Sequence, residues 1–313
     1  MDGTLARLKA SLVGTSALLA LACTAGGTSA VGATVVSSDP HANLPAELVL
    51  TGTVRDFKSR QDDGGHPDFQ RRPDGGFGVY AYMVADELDA DGKPVMASSG
   101  RRVSTPWRDS EGRPIMPPRP HLPLRDGDSA GSAGGSDGGA LTTGENFSEW
   151  YRDIPGVNAS RLQDITLRRQ SGSNVYVFDD REDERFAGLG GFFPINGELF
   201  GDFNGTGKNF HFTYELETQF EYEANSGQVF KFIGDDDVWV YVDGKCVIDL
   251  GGVHAAAEQT INLDRLDWLR DGQTYTLKFF FAERHTTQSN FRIETTLQLR
   301  TFSSEVAVSM PFD

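Results

Sequence analysis

The sequence predicts an all-β protein: an antiparallel, jelly-roll-like β-sandwich with one short helix and one long disordered loop. Three observations predict it. Short runs rich in Val, Ile, Phe, Tyr and Thr fill the second half of the chain, punctuated by Gly and Asp turns. Aromatic residues are abundant, with 21 Phe, 8 Tyr and 4 Trp, and many alternate with polar positions as sandwich cores require. Only one segment, ENFSEWYRDIPGVN from Glu145, reads as a helix, ended by Pro155 and Gly156.

Residues 1–22 read as an export signal, with Arg7 and Lys9 ahead of an apolar stretch too short to span a bilayer comfortably. The stretch ends in Ala20-Leu21-Ala22-Cys23, similar to the processing box of bacterial lipoproteins, so lipidation at Cys23 is expected. Ordinary cleavage after Ala30 is the alternative. Residues 23–47 are small and polar, a tether that would hold a domain off a surface. The folded domain is expected over 48–301, opening with the alternating strand LVLTGTVRDF, and a tail over 302–313 follows it. Between 97 and 144 the composition shifts to Pro, Gly and Ser, too poor in apolar surface to order itself, so this segment is expected to be an inserted, structureless loop. After the helix come strand candidates at ITLRRQ, NVYVFDD, NFHFTYELETQFEYE, VFKFIG, VWVYV, CVIDL, TINL, YTLKFFFAE and NFRIETTLQL, with the most recognisable core over 220–300.

The chemistry concentrates between Gly234 and His254, in GDDDVWVYVDGKCVIDLGGVH. Asp235, Asp236 and Asp237 run directly into a strand, Asp243-Gly244 makes a tight hairpin turn, and Gly251-Gly252 lets backbone approach closely. Three adjacent carboxylates repel unless a cation, a hydrogen-bond network or open water absorbs their charge. A calcium site at the mouth of the sandwich is one reading, and a solvated acidic turn is the other. Gly251 and Gly252 would offer carbonyl oxygens, while His254 and His285 end loops near the acids and would contact them or a bound sugar. Four histidines (His66, His211, His254 and His285) fall in the same segments, but their spacing matches no compact zinc pattern. His211 alternates with Phe210 and Phe212, which turns it toward solvent or a hydrogen bond.

Composition narrows the function classes. A net charge of −16 makes nucleic acid a poor partner and suits divalent cations and neutral polysaccharides. Of two cysteines, Cys23 is lipidated or lost with the signal, and Cys246 sits inside a strand as a small buried apolar residue. No GxSxG motif, Ser-His-Asp order or phosphate loop is present. Acids such as Glu283, Asp202, Asp56 and Asp68 are plentiful, but the densest group are neighbours in sequence, which suits a metal better than a glycosidase's acid–base pair. A binding protein is expected, not an enzyme.

In order, TGTVRDF, HPDF, EWYRDIPGVN, FFPING, NFHFTYELE, the aspartate hairpin and FAERHTTQSNFRIET closely resemble the fibro-slime domain family, from about Thr51 to Thr296. That family occurs in cellulose-degrading and gliding bacteria and in extracellular slime-mould proteins. The hairpin DDDVWVYVDGKCVIDLGG is in turn similar to the protective-antigen-type lectin-like β-sandwich. In sugar-binding members, paired aspartates hold calcium, which coordinates sugar hydroxyls. The resemblance places that pair on Asp235 and Asp236, with Asp237 where glycine is common and Asn290 as the amide ligand. It implies a calcium cofactor and a polysaccharide or glycoconjugate partner for a secreted or cell-surface adhesion module; Glu283, at the end of the strand before the Asn290 loop, is a further candidate ligand-binding residue. The alternative is a matrix or cell-surface protein whose calcium only stabilises the fold and whose partner is protein. Membrane contact is expected only through the lipid. Cys23→Ser should therefore move the exported protein from the detergent phase to the aqueous phase; unchanged partitioning, or soluble material starting at Val31, refutes the anchor.

Overall fold

The computed structural model describes residues 39–300. The expected signal peptide, Cys23, tether residues 23–38 and the tail 302–313 lie outside them. In chain order the elements are β1 (Glu47–Phe57), β2 (Tyr80–Ala81), β3 (Arg101–Thr105), β4 (Trp107–Arg108), β5 (Pro114–Ile115), β6 (Ser132–Ala133), α1 (Gly144–Ser148), β7 (Asn158–Arg169), β8 (Tyr176–Asp179), β9 (Phe212–Glu221), β10 (Val229–Gly234), β11 (Asp237–Val242), β12 (Lys245–Leu250), β13 (Ala257–Asn262), β14 (Thr274–Glu283) and β15 (Phe291–Thr295). Ten of these strands form one sheet in the order β12-β11-β14-β9-β1-β7-β8-β15-β10-β13. All its pairings are antiparallel. The sheet curls until its two edges meet, so the sandwich is close to a barrel. Gln259 of β13 closes the seam by imitating a ladder partner. Its Oε1 accepts from the Asp249 N–H of β12 at 2.8 Å, and its Nε2 donates to the Asp249 carbonyl at 3.0 Å.

The interior is aromatic, as the alternation predicts. Phe291 stands at its centre, with ring centroids of Phe192, Phe281, Phe232 and Phe279 between 4.6 and 5.3 Å away. Strands β11 and β14 are buried on both faces, which explains why VWVYV and FFFA read as continuous apolar runs. Val238, Val240, Phe279 and Phe281 alternate with Trp239, Tyr241 and Phe280, whose rings meet Phe147, Trp150 and Tyr151 beside α1. Thr143 caps this one-and-a-half-turn helix by accepting the Asn146 N–H at 3.2 Å. The predicted hairpin turn is present, with φ +52° at Asp243 and +77° at Gly244.

Segment 97–144 corrects the expectation of a structureless loop. It carries β3–β6 and packs Trp107, Ile115, Met116, Leu122, Ala140 and Leu141 against the sandwich. Its composition is poor in apolar residues because it borrows the core of the main sheet and builds none of its own. The same outer layer blunts edge strand β12, where Tyr80 and Glu87 bridge Gly251 and Lys245. Residues 39–46 also lie on the sheet and do not hang free: Pro45 accepts the Tyr176 hydroxyl at 2.8 Å, and Asp39 pairs with Arg169.

Arg119 is the insert's strongest attachment. Its guanidinium donates to Asp249 and Asp86 at 2.7 Å and to the Val84 carbonyl at 3.1 Å, and it lies over the Tyr82 ring. Asp249 is fully buried and also accepts the Trp239 indole N–H. Arg119→Ala strands that carboxylate without its cation and should cost about 3 kcal/mol or more, read by urea denaturation. A loss under about 1 kcal/mol would mean that the insert is not docked.

Candidate functional site

The acidic run sits where β10 hands over to β11. Gly234 ends β10, and a Cβ there would lie 2.2 Å from the Asn290 carbonyl, so only glycine lets loop 284–290 come down onto the acids. Asp237 opens β11 opposite Ala282 of β14, which brings Glu283 and Arg284 beside it. All three aspartates are buried, which removes the solvated-turn reading.

Each aspartate has different partners. Asp237 forms a fully buried ion pair with the Arg284 guanidinium and accepts the Gly252 N–H at 2.5 Å. Its carboxylate is committed to structure, so its expected role as a metal ligand is corrected. Asp236 accepts only main-chain donors, from His254 at 3.2 Å and Arg284 at 3.3 Å. Asp235 accepts the Asn290 N–H at 2.5 Å and its side-chain amide at 2.6 Å. Asn290 thus turns its nitrogen to Asp235 and its oxygen to Arg181 at 2.7 Å. This reverses the expected amide ligand, because a carboxylate with free lone pairs attracts the donor end. Glu283 is sealed below the acids; one oxygen accepts a long bond from His285 N–H at 3.4 Å, and Oε2 has no partner.

Asp237 is therefore paired with the one buried guanidinium, while Asp235, Asp236 and Glu283 have no cation of their own in direct contact. Burial raises Asp235 above the usual carboxylate range, against the two Asn290 hydrogen bonds. Burial, then repulsion from Asp237, pushes Asp236 well up. Burial, then Asp236 and Asp235, does the same to Glu283. His254 is held neutral, since burial lowers it, and its Nε2 is a second buried atom without a partner. The cluster is short of positive charge.

Asp235 and Asp236 floor a surface pocket of about 230 Å³, walled by Val253, His254, Ala255, and His285 to Gln288, and edged by Phe77. The predicted acids and both predicted histidines thus meet at one site, with Glu283 beneath it. Gly251 and Gly252 do a different job from the one expected. Gly251 exchanges main-chain hydrogen bonds with Tyr80 at 2.7 and 2.9 Å, and a Cβ at Gly252 would meet Tyr80 at 2.4 Å. Both are glycine because segment 78–83 packs on them, and the Gly251 carbonyl is already taken. Outside the pocket, His211 bonds Gln70 Oε1 at 2.9 Å, and burial lowers its pKa to about 3, which rules out the solvent orientation. Cys246 is buried as expected. Phe77, 44% exposed, is the site residue that the sequence reading missed; an aromatic isolated among glycines in DGGFG was the available signal.

Residues 197–308 match the PA14 domain family, which covers the aspartate hairpin and the pocket's lower walls. The chain is homologous to psi proteins of Dictyostelium discoideum. It is 39% identical to "Protein psiR" over 181 residues (56% of this chain, 18% of the relative) and 40% identical to "Protein psiD" over 160 residues (48% and 29%). The chain thus spans less than a third of the length of these curated relatives. Among solved structures, the "PA14 domain of MpAFP Antifreeze protein" aligns with a TM-score of 0.21 at 12% identity, covering 31% of this chain and 47% of that one.

An acid whose pKa is raised in the folded state keeps its proton where the unfolded chain has lost it. Its contribution to stability therefore falls as pH climbs above the ordinary carboxylate range. Glu283→Gln keeps the shape and removes that term. In chelator, the variant's melting temperature should gain on the wild type between about pH 5 and about pH 8. A gap that narrows with rising pH would show that Glu283 is ionised and compensated.

Proposed function

We propose that this chain is an exported, surface-tethered module that binds carbohydrate through a calcium ion and performs no catalysis. The observation that carries the reading is the pocket itself: an open depression with two charge-deficient aspartates at its floor and an exposed aromatic at its edge. A cation serving only the fold calls for a closed cage, whereas a sugar needs access and an apolar edge. The match of residues 197–308 to the PA14 domain supports a carbohydrate partner, and the fibro-slime assignment would extend the family from about Thr51 to Thr296.

The residues present fit a hard divalent cation. Among the described residues no three His, Cys, Asp or Glu side chains are grouped to hold a metal, so Asp235 and Asp236 would share the ion with main-chain and water oxygens. Calcium would supply positive charge and leave ligand positions for vicinal hydroxyls. The two aspartates are adjacent in sequence and hydrogen-bonded in place, which suits holding an ion better than flanking a glycosidic bond across roughly 5–10 Å. Adhesion, export and the Cys23 lipid remain parts of this proposal.

Replacing Asp235 and Asp236 together by Asn tests it. Saturating calcium should raise the wild-type melting temperature, with about 2.7 kcal/mol gained at a hundredfold excess over Kd. The double variant should lose both that rise and chelator-sensitive binding on a glycan array. Equal shifts in both proteins would place the cation elsewhere. A calcium shift with no glycan bound would favour the matrix protein in which calcium only stabilises the fold.

A further inference from the structure

We infer that the pocket selects sugars bearing an anionic group, a uronate carboxylate or a sulfate ester, using the Arg72 and Arg102 guanidiniums on its Phe77 rim. This rests on the carbohydrate reading of the pocket and adds the class of sugar. The chain carries 45 acidic against 29 basic residues, and its arginines are mostly paired. The adjacent Arg71 is bound to Asp74. Arg72 and Arg102 are exposed, and neither forms an ion pair among the described residues. Arg60, Arg101, Arg108, Arg181 and Arg270 also form no ion pair among the described residues, so it is the position of Arg72 and Arg102 beside Phe77 at the pocket edge that marks a surface open for an anion.

Their placement is built. Arg72 lies over the Phe77 ring, 5.2 Å from its centroid. Arg102 lies on the backbone one residue further along, where a Cβ on Gly78 would meet its Nε at 2.7 Å. The two groups therefore flank the aromatic edge of the pocket. Gln70 fixes the segment that carries Arg72 to the pocket wall. Its N–H donates to the Arg284 carbonyl at 2.6 Å, its Nε2 to Thr286 Oγ1 at 3.1 Å, and its Oε1 accepts the Thr286 N–H at 3.3 Å. Arg102 is set by the pairing of β3 with Tyr80, while Gly78 N–H reaches Val253 of the pocket at 2.8 Å.

A guanidinium presents a planar fork that matches a carboxylate or sulfate through two parallel hydrogen bonds. The overall negative charge opposes polyanions at long range, but screening limits that field to about 8 Å at physiological salt, so the nearest charges decide. A cation at the floor and guanidiniums at the rim provide separate positive centres. They suit a ring with vicinal hydroxyls and a charged substituent. A neutral sugar would use only the first.

The test compares short oligogalacturonides, their carboxyl-reduced neutral counterparts and sulfated disaccharides, titrated calorimetrically into the full chain with calcium present. The wild type should bind an anionic set about tenfold or more tighter than the neutral one, as expected for charge-assisted hydrogen bonds. That ratio should shrink from about 50 to about 300 mM salt. Whichever anion is preferred identifies the substituent. In the Arg72→Ala/Arg102→Ala variant, checked for folding by its calcium-dependent melting shift, the ratio should collapse toward one. A Lys pair should restore it only in part, since the fork is lost. Equal affinity for neutral and anionic sugars in the wild type, or a preference that survives the double substitution, overturns the inference and leaves calcium-dependent sugar binding standing. Failure of every oligosaccharide to bind would overturn both.

Discussion

Arg284 and Asp237, neither with any solvent exposure, meet where β14 ends and β11 begins, and much of the molecule is arranged around that contact. The guanidinium also donates to the Ala140 carbonyl at 3.0 Å and lies over the Trp150 ring, so it ties the insert and the helix layer to the sheet. Its main-chain N–H reaches Asp236, and its carbonyl accepts from Gln70. Through Asp237 it holds Gly252, and with it the strand end under Tyr80. A buried pair of this kind gains little over a well-packed apolar substitute, because desolvation offsets most of the attraction. What it provides is position: four separate stretches of chain are registered on one planar group.

That position has an electrostatic cost. The pair neutralises Asp237 and leaves Asp235, Asp236 and Glu283 close by, buried, with main-chain and amide donors as their partners. N–H groups carry only partial charge, and burial, with repulsion among the acids at Asp236 and Glu283, pushes all three upward. A stable sandwich has no need of such a group. The floor of the open pocket is thus where buried negative charge is least compensated.

Sequence reading succeeded where the cause is local. Strand alternation, the Asp243-Gly244 turn and the buried Cys246 follow from neighbours a few residues apart. It failed where the partner is remote. Nothing in DDD reveals that Asp237 faces an arginine 47 residues away, so three like residues looked like one ligand set. Asn290 lies beside Asp235 with its nitrogen toward the carboxylate, because the donor or acceptor role of an amide is set by its surroundings, here Arg181 and Asp235. The order of the insert is not legible in its composition, which reports whether a segment can build a core and not whether it can share one: Trp107, Arg119 and Leu141 all depend on residues of the sheet.

Segment 66–82 shows how the outer layer becomes part of the site. His66, Asp68 and Phe69 are buried, and Asp68 accepts from Thr142 and from the Trp150 indole, which locks the segment to the helix layer. Gln70 then bonds the pocket loop, and Phe77 emerges at the pocket edge before Tyr80 covers β12. The chain thus reaches the pocket rim between two fixed points, and the aromatic edge is held without a strand of its own. The floor comes from the sheet and the rim from the layer wrapped around it. Floor residues are buried and hydrogen-bonded to the loops beside the ion pair, whereas rim residues such as Phe77 and Arg72 are exposed. The shape of the floor is therefore set by the sandwich, while the rim is open to variation.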